Sequence, residues 1–454
     1  MQHFLVPHDV SASTATLWMA ALGAAPGAAN MEIVSDTPVH AGHAAWETWP
    51  PDGGPARLRY RRVTVTGLEP DRRHVFTLLA DGRPVAHARL TTLPEQLPPT
   101  GGKPFTVLLG SCFSVIEDGG GRVGNTYFHL PHDARPDVKI LAGDQVYLDS
   151  PWYCFATRTH GVEELRSIFL AQYTRSWGQE PGFHQLLTDG ANYFCSDDHE
   201  FWNNAPNPGA YVLDTWPILG DRQGWWKTAQ QLYNVFQAPG PTAGFSVYPI
   251  SFFIADTRVA RAADRSRLMP DSELGAVADW VRGLQGPGFL VLGQPILNTT
   301  TTLLKGHFGD WNLPDFDQYR DLVRILEDSR HDLIVLTGDV HYGRIAQCTL
   351  PSGRDLIEII SSPMSLVDEK ARGVWEQAPE RFPAGKLRHE GPSGSARQPV
   401  RTEKSFAPTD GHFLTLEFTR HGAGAAMNVR IWPMIEDGVP SPGFGREVWQ
   451  RNLR

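Results

Sequence analysis

The sequence predicts an α/β protein in which a small all-β module precedes a larger layered domain. Three observations lead to this prediction. Residues 1–98 contain short, partly alternating apolar runs separated by turn residues. Residues 94–103 (PEQLPPTGGK) are rich in Pro and Gly, which is typical of a linker. Beyond it, in residues 99–454, apolar runs alternate with segments of helical periodicity, which favours an α/β layer architecture.

The composition is that of an ordinary folded protein. The chain has 454 residues, of which 41% are hydrophobic and 20% are charged. With 41 basic and 50 acidic residues, its formal net charge is −9. This balance argues against a dedicated binder of nucleic acid or of anionic membranes. We therefore expect no nucleic-acid or membrane partner, and the composition leaves the oligomeric state open.

The spacing of the cysteines and the N-terminal residues bear on the cellular compartment of the protein. The four cysteines are scattered and form no C-x-x-C pair, so neither a disulfide framework nor a cysteine-rich zinc site is expected. No apolar run approaches the roughly 20 residues of a membrane span. The N-terminal residues MQHFLVPHDVSASTATLWM lack the pattern of a secretory signal. We expect a cytoplasmic protein, or a secreted or periplasmic one if a leader has been removed.

The spacing of runs in the first module suits a small β-sandwich. The segment from Val65 to His74 resembles the corner of fibronectin type III-like modules, with His74 in place of their usual Tyr; a generic hairpin is the alternative. The predicted strands are Thr14–Ala20, Asn30–Val34, Arg57–Thr66, Val75–Ala80 and Val85–Leu90.

In the larger domain, apolar runs repeatedly end in a small residue followed by a polar one. These runs are Phe105–Leu109, Val138–Leu141, Tyr193–Cys195, Phe252–Ile254, Phe289–Leu292, Leu333–Leu336 and Leu356–Ile360. Helices are expected at Val162–Thr174, Arg222–Phe236, Asp271–Leu284 and Asp315–Glu327, and final strands at His412–Thr419 and Ala426–Trp432. The aromatic residues at Trp177 and Tyr211–Trp226 form either walls of a cleft or ordinary core.

The polar residues after these strands predict a metal site. In open α/β sheets, ligands gather at the carboxyl ends of strands. Several carboxylates at one place repel each other unless cations intervene. Carboxylate and imidazole suit a hard or borderline metal, whereas thiolate and phenolate suit a ferric-type or zinc-type ion, so more than one metal is expected. The candidates are Cys112, Asp144, Tyr147, Asp149, Asp197, Asp198, His199, Glu200, Asp339 and His341.

Each motif has an ordinary alternative. Gly143–Tyr147 (G-D-x-x-Y) could aim an acid and a tyrosine at one ion, but the pattern is common by chance. Asp197–Glu200 follows an apolar strand, and a solvated turn is its alternative. Gly338–His341 (G-D-V-H) is alternatively a helix N-cap with a satisfied histidine. Cys112 alone is alternatively a buried structural thiol.

Taken in order, these motifs resemble the calcineurin-like metallophosphoesterases, whose strand ends read D-x-H, G-D-x-x-(D or Y), G-N-H-(D or E), a lone His and G-H-x-H. This chain has G-S-C at Cys112, then G-D-x-x-Y, D-D-H-E and G-D-V-H. That set is similar to the alkaline phosphatase D (PhoD-like) family, and the resemblance covers nearly the whole chain. It implies a metallophosphatase-type layered β-sandwich flanked by helices (residues 99–454), after a small fibronectin type III-like all-β domain (residues 1–98).

The resemblance also implies two metal ions, ferric iron and a calcium-like ion, with Zn²⁺, Mn²⁺ or Mg²⁺ as other possibilities. The implied iron ligands are Cys112, Asp144, Tyr147 and His341. The implied ligands of the second ion are Asp144, Asp198 and Asp339, with Gln294 or Asn298 in place of the lone His. Asp197 and Glu200 would orient these ligands.

The implied activity is hydrolysis of a phosphomonoester or phosphodiester, as an alkaline phosphatase or phosphodiesterase, by a metal-bound hydroxide that attacks phosphorus. Besides Asp144, His199 is expected to be catalytic as general acid, with a supporting bond to Asp144 as its alternative role. Arg258 or Arg344 would hold a phosphate oxygen or form an ordinary ion pair. The other readings are a phosphodiesterase specialised for teichoic acid, phospholipid or nucleotide substrates, a non-catalytic metal-stabilised binding protein, and an iron redox enzyme.

Overall fold

The structure is a computed structural model. It describes residues 2–23, 30–42, 44–149, 161–207, 222–238, 242–302, 309–365, 378–384, 397–406, 411–436, 438–440 and 443–454. Residues 211–221 of the predicted aromatic segment lie outside these ranges. Trp177 lies within them and is fully buried in an aromatic core, so it is not part of an exposed wall.

Strands dominate the described chain. In the first part they are β1 (His3–Val10), β2 (Thr14–Leu22), β3 (Met31–Ser35), β4 (His40–Ala41), β5 (Glu47–Trp49), β6 (Leu58–Thr66), β7 (Arg73–Ala80) and β8 (Arg83–Thr91). They continue as β9 (Phe105–Gly110), β10 (Val138–Ala142), β11 (Ala191–Cys195), β12 (Thr242–Val247), β13 (Ile250–Ala255), β14 (Gly288–Val291), β15 (Leu333–Thr337), β16 (Gly343–Thr349) and β17 (Asp355–Ile360). The last are β18 (Arg381–Phe382), β19 (Gln398–Pro399), β20 (Arg401–Phe406), β21 (His412–His421), β22 (Gly424–Pro433) and β23 (Arg446–Leu453).

The helices lie between these strands. They are α1 (Arg122–Phe128), α2 (Val162–Trp177), α3 (Phe183–Thr188), α4 (Arg222–Phe236), α5 (Asp271–Gly283) and α6 (Tyr319–Glu327). The helix expected from Asp315 starts later because Phe316 is extended and separates α6 from a 3-10 turn at Leu313–Asp315. None of the described helices is both long and apolar enough to cross a bilayer.

Two large sheets form the centre of the molecule. One has the strand order β11-β10-β9-β21-β22-β23, and its strands β9, β10 and β11 are parallel. The other has the order β12-β13-β14-β15-β17-β16-β20, and its strands β13, β14, β15 and β17 are parallel. Because parallel strands end at the same edge of a sheet, each sheet gathers several strand-end loops at one edge.

The two sheets pack face to face, with helices on their outer faces. Ile140 and Leu414 of the first sheet share a buried cluster with Phe289 and Ile334 of the second. Helices α2, α3 and α4 cover the outer face of the first sheet, and α5 and α6 cover that of the second. Strands that are buried on both faces need apolar side chains at nearly every position, which explains the continuous apolar runs in the sequence. This layered arrangement confirms the predicted α/β class.

Strands β1–β8 form two smaller sheets, of order β1-β2-β6-β4 with β5 beside β6, and β3-β7-β8. Their interior is continuous with the main core, since Leu17 and Phe76 belong to the same buried cluster as Ile140. The segment predicted as a linker also packs inward: Leu97 is buried and donates its N–H to the carbonyl oxygen of Tyr248 at 2.8 Å. The boundary at residue 98 stays a prediction.

Tyr193 joins β11 to the first strand of the chain. Its buried hydroxyl accepts the N–H of Val10 at 3.0 Å and donates to the carbonyl oxygen of Val10 at 3.2 Å. Tyr193→Phe leaves both backbone groups of Val10 buried without this partner, so we expect a loss of about 1–3 kcal/mol in the free energy of unfolding. Urea denaturation measures it, with the exposed Tyr248→Phe as control. Equal stability of the two variants would contradict the contact.

Glu273, in the first turn of α5, predicts a pH-dependent stability. It is 5% exposed, and neither carboxylate oxygen has a hydrogen-bond partner in the described structure. Burial, with a smaller contribution from Asp256, raises the pKa of Glu273 from 4.5 to about 7. The folded state therefore binds the proton more tightly than the unfolded state, and this carboxyl destabilises the fold increasingly as pH rises from 4.5 to 7.

Glu273→Gln removes that titration. We expect the variant and the natural chain to differ little in unfolding free energy at pH 4.5, and the variant to be more stable by about 1–3 kcal/mol at pH 8. Urea denaturation at the two pH values measures the difference, and Glu32→Gln, at an exposed position of β3, is the control. A pH-independent difference would show that Glu273 does not titrate as described.

Candidate metal centre

The carboxyl ends of strands from both large sheets converge at one place. Asp144 follows β10, Asp197 and Asp198 follow β11, and Asp339 follows β15 of the other sheet. One carboxylate oxygen from each of these four residues lies within 4.8 Å of the others. Three of the four were predicted as metal ligands and Asp197 as their supporter. The structure therefore brings together acids that are far apart in the sequence.

Glycines before the acids allow this convergence. Gly143 has φ +95°, and a Cβ there would lie 2.6 Å from the Cβ of Asp197. A Cβ on Gly338 would lie 2.3 Å from the Ser111 side chain and 2.6 Å from the carbonyl oxygen of Ala142. Atoms at such distances overlap, so only glycine lets the strand-end loops of the two sheets pass this closely.

Four predicted ligands have unusual backbone conformations. Cys112, Asp144, Asp339 and His341 have φ values of 56°, 56°, 69° and 55°. Non-glycine residues are uncommon in this left-handed region, and each costs of order 1–3 kcal/mol. Such strain is typical of functional sites, where surrounding contacts hold a side chain in a required direction.

Glu200 holds two of the loops together. Its carboxylate accepts the backbone N–H groups of Asp144 at 2.9 Å, Gln145 at 2.6 Å and Asp197 at 2.9 Å. The side-chain amide of Gln237 donates to it at 3.2 Å. Burial raises the pKa of Glu200 to about 7 although these donors oppose the shift. Glu200 therefore fixes the backbone on which Asp144 and Asp197 are carried.

The thiol of Cys112 lies beside Asp144. The Cys112 Sγ is 3.4 Å from the Asp144 Oδ2 and 3.2 Å from the Ser362 Oγ. The same Ser362 hydroxyl accepts the backbone N–H of His341 at 3.1 Å. Burial and the Asp144 charge raise the pKa of the Cys112 thiol well above its ordinary value. A positive ion at this position would reverse that shift and favour the thiolate.

The rings of Tyr147 and His199 contact each other at a centroid distance of 4.1 Å, with their planes tilted by 31°. The buried Tyr147 hydroxyl has no hydrogen-bond partner among the described residues, so a further ligand would satisfy it. The His199 Nδ1 lies 2.8 Å from the Asp149 Oδ1, and its backbone N–H donates to Asp144 at 3.1 Å. The alternative role expected for His199 was a ring that bonds to Asp144. In the structure the His199 ring bonds to Asp149 instead, and only the backbone of His199 bonds to Asp144. Burial lowers the pKa of His199, but Asp149 and other acids outweigh this and raise it overall.

The electrostatics of the four-acid cluster favour a cation. Burial, and then the charge of Asp198, raise the pKa of Asp144 well above its ordinary value, and burial and Asp197 do the same for Asp339. One oxygen of Asp197 and the Oε1 of Gln294 are buried without a hydrogen-bond partner in the described chain. Clustered carboxylates with unsatisfied oxygens are the donor set that hard divalent cations prefer. The residues present therefore fit a metal ion.

Both arginines that were predicted to bind the substrate lie in the interior and form ion pairs with carboxylates. Arg258 is fully buried, and it donates to Asp197 at 2.6 Å and to both oxygens of Asp310 at 2.8–2.9 Å. Arg344 is also buried and donates to Glu358 at 2.6 Å. Guanidinium groups committed to protein carboxylates in the interior do not reach a substrate in a cleft, so we assign both to ion pairs rather than to phosphate binding.

Gln294 and Asn298 differ in their surroundings. The Gln294 Nε2 lies 3.1 Å from the Asp339 Oδ2 and also bonds Asp310, which places this side chain at the cluster. The Asn298 Oδ1 accepts the backbone N–H of Thr299 at 2.8 Å, a local loop contact that does not connect it to the four acids.

Sequence reasoning gave no role to Asp256, which anchors the loop of Asp197. Its carboxylate accepts the N–H and hydroxyl of Ser196 and the hydroxyl of Tyr233 at 2.7–3.0 Å. Asp256 follows a strand just as Asp144 does, so the signal was present. Asp310 lies in a loop and meets Arg258 only through tertiary structure.

Comparison with solved structures supports the fold. No protein-family model matches the chain, and no curated protein matches it. A solved structure described as "Structure of PhoD" matches with a TM-score of 0.61, over 99% of this chain and 91% of that chain, at 13% identity. At this identity, the likeness shows a shared fold. The fold that the motifs implied is therefore supported in general.

We expect Asp144→Asn to lose metal binding. The change keeps the shape of the side chain, and Asn tolerates the left-handed backbone at this position. Mn²⁺ should raise the melting temperature of the natural chain, because an ion that binds the folded state stabilises it. The variant should lose most of that rise while remaining at least as stable in EDTA, since it no longer keeps an ionisable carboxyl buried among other acids.

Differential scanning fluorimetry with and without Mn²⁺ measures both effects. Asp328→Asn, at an exposed acid after α6, is the matched control and should keep the full rise. If Asp144→Asn keeps the full rise, the cluster is not the metal centre.

Proposed function

We propose that this chain is a metal-dependent hydrolase of phosphate esters, an alkaline phosphatase or phosphodiesterase. The observation that carries the proposal is the convergence of four acids within 4.8 Å at the shared edge of two sheets, with Cys112 and His199 beside them. The PhoD-like fold supports the same proposal, because a solved structure of that name shares the architecture.

We propose two groups of ligands, one for each of two cations. For the first ion we propose ferric iron, and for the second calcium, as the resemblance in the motifs implies. Cations bound there would lower the pKa of a water molecule and neutralise phosphoryl oxygens. The proposed ligands of the first are Cys112, Asp144, Tyr147 and His341, and those of the second are Asp144, Asp198, Asp339 and Gln294.

Residues of the chain orient the catalytic groups and supply a proton. Asp149 holds the Nδ1 of His199 at 2.8 Å, which fixes the ring and leaves Nε2 to carry a proton. We infer that this nitrogen donates its proton to the leaving oxygen of the ester. Glu200 and Asp256 keep the surrounding loops in place through their backbone hydrogen bonds. Most of the catalysis then comes from positioning and charge, as is general for phosphoryl transfer.

The choice between monoester and diester substrates is tested with two aryl esters. We expect hydrolysis of p-nitrophenyl phosphate, bis(p-nitrophenyl) phosphate or both, loss of this activity after chelation, and its return when Fe³⁺ and Ca²⁺ are added. A clear preference for the diester would favour the phosphodiesterase reading. Absence of activity from a protein whose metals only raise its melting temperature would support the non-catalytic alternative and contradict the proposal.

His199→Ala tests the proton donor. A leaving group of high pKa needs the proton in the transition state, so alkyl phosphate turnover should fall by about 10²–10⁴-fold. Turnover of p-nitrophenyl phosphate should fall much less, because its leaving group departs without protonation. The control is His421→Ala at the exposed end of β21, which should leave both rates unchanged. Equal slowing of both substrates by His199→Ala would rule out the acid role.

A further inference from the structure

The C-terminal end of α4 supports the metal-site loops directly. Gln237, immediately after the helix, donates its side-chain amide to Glu200 at 3.2 Å. Tyr233, in the last turn, donates its hydroxyl to Asp256 at 2.7 Å. Glu200 and Asp256 are the two carboxylates that hold the loops of Asp144 and Asp197. The position of this helix end therefore affects the backbone of the candidate ligands.

Arg62 of β6, in the N-terminal sheets, caps the same helix end. Its Nη2 donates to the carbonyl oxygen of Asn234 at 2.7 Å and to that of Val235 at 2.8 Å. The last carbonyl groups of a helix have no partners within the helix and carry partial negative charge. A guanidinium group is well suited to satisfy two of them at once.

We propose that Arg62 is a positioning residue for the metal centre, through which the N-terminal sheets hold α4 and thereby the loops of Asp144 and Asp197. The inference rests on the metal centre of the proposed function, and it gives the N-terminal sheets a role in the chemistry. Each step is a hydrogen bond: Arg62 donates to the helix end, Gln237 donates to Glu200, and Glu200 accepts from the backbone N–H groups of the two loops.

A neighbour on the same strand provides a matched control. Arg59 lies three residues before Arg62 on β6, and its guanidinium group is 5.0 Å from the ring centre of Trp46. That contact lies within the N-terminal sheets. Arg59→Met therefore removes a similar side chain from the same module without breaking the contact to α4, whereas Arg62→Met keeps the length of the side chain and removes the donors.

Hydrogen exchange tests the path without any metal. In EDTA, the amides of Asp144, Gln145 and Asp197 should exchange about tenfold faster in Arg62→Met, because the Glu200 that binds them is less firmly held. Strand β15 should keep its exchange rate, and Arg62→Lys, which retains a charged donor nitrogen, should recover part of the protection. Unchanged exchange at the three amides, or equal acceleration in β15, would overturn the inference.

Mn²⁺ affinity provides the second readout. Groups that orient metal ligands typically change affinity by 10–100-fold, and Arg62 is further from the ion, so we expect a loss of roughly 3–10-fold. Arg59→Met should show no loss. Gln237→Leu should show a similar loss, and the double variant with Arg62→Met should be little worse than the poorer single variant, since both changes interrupt one path. Fully additive losses would contradict the inference.

Hydrolysis of the aryl phosphates is measured separately in the same proteins. If the natural chain is inactive but Arg62→Met still loosens the three amides, the proposed function fails and the positioning role stands. If the natural chain is active and Arg62→Met behaves as Arg59→Met in exchange and affinity, the positioning role fails and the proposed function stands.

Discussion

Mutual repulsion among four clustered carboxylates, three of them buried and one partly buried, is the constraint on which this site depends. The acids lie within 4.8 Å of one another, and Arg258 forms an ion pair with Asp197. Burial and the neighbouring acids raise the pKa values of Asp144 and Asp339 well above the ordinary value, so the ionised form of both is disfavoured unless a further positive charge is present. Without a cation, holding these acids close together lowers the stability of the fold. Cations convert the same arrangement into a binding site.

The surrounding structure is organised to maintain this arrangement. Left-handed backbone at Cys112, Asp144, Asp339 and His341 directs these residues in a way that a relaxed loop would not. Hydrogen bonds that the loop backbone donates to Glu200 hold the loops, and glycines permit their close passage. The two sheets supply a rigid frame because their strands are packed on both faces. Strain at the site is thus balanced by ordinary packing elsewhere in the fold.

Strand-end residues were the part of the site that sequence could predict. Asp144, Asp198 and Asp339 each follow an apolar run, and parallel strands bring their ends together, so their proximity follows from the fold class. An ion pair was one of the two roles expected for Arg258 and Arg344, but their carboxylate partners could not be predicted, because these are distant in the chain or lie in the interior of another strand. Asp197 is 61 residues from Arg258, and no local pattern connects them. The composition of residues 94–103 also gave no sign that Leu97 packs against the core.

The central claim is that this cluster binds metal ions through Asp144. Anomalous diffraction from crystals of the metal-loaded protein, recorded on both sides of the absorption edge of the bound metal, tests this claim most directly. We expect an anomalous peak within about 2.0–2.6 Å of an Asp144 carboxylate oxygen, with Asp198 or Asp339 also in contact. Metal-loaded crystals with no peak among the four acids, or with all peaks elsewhere on the protein, would contradict it.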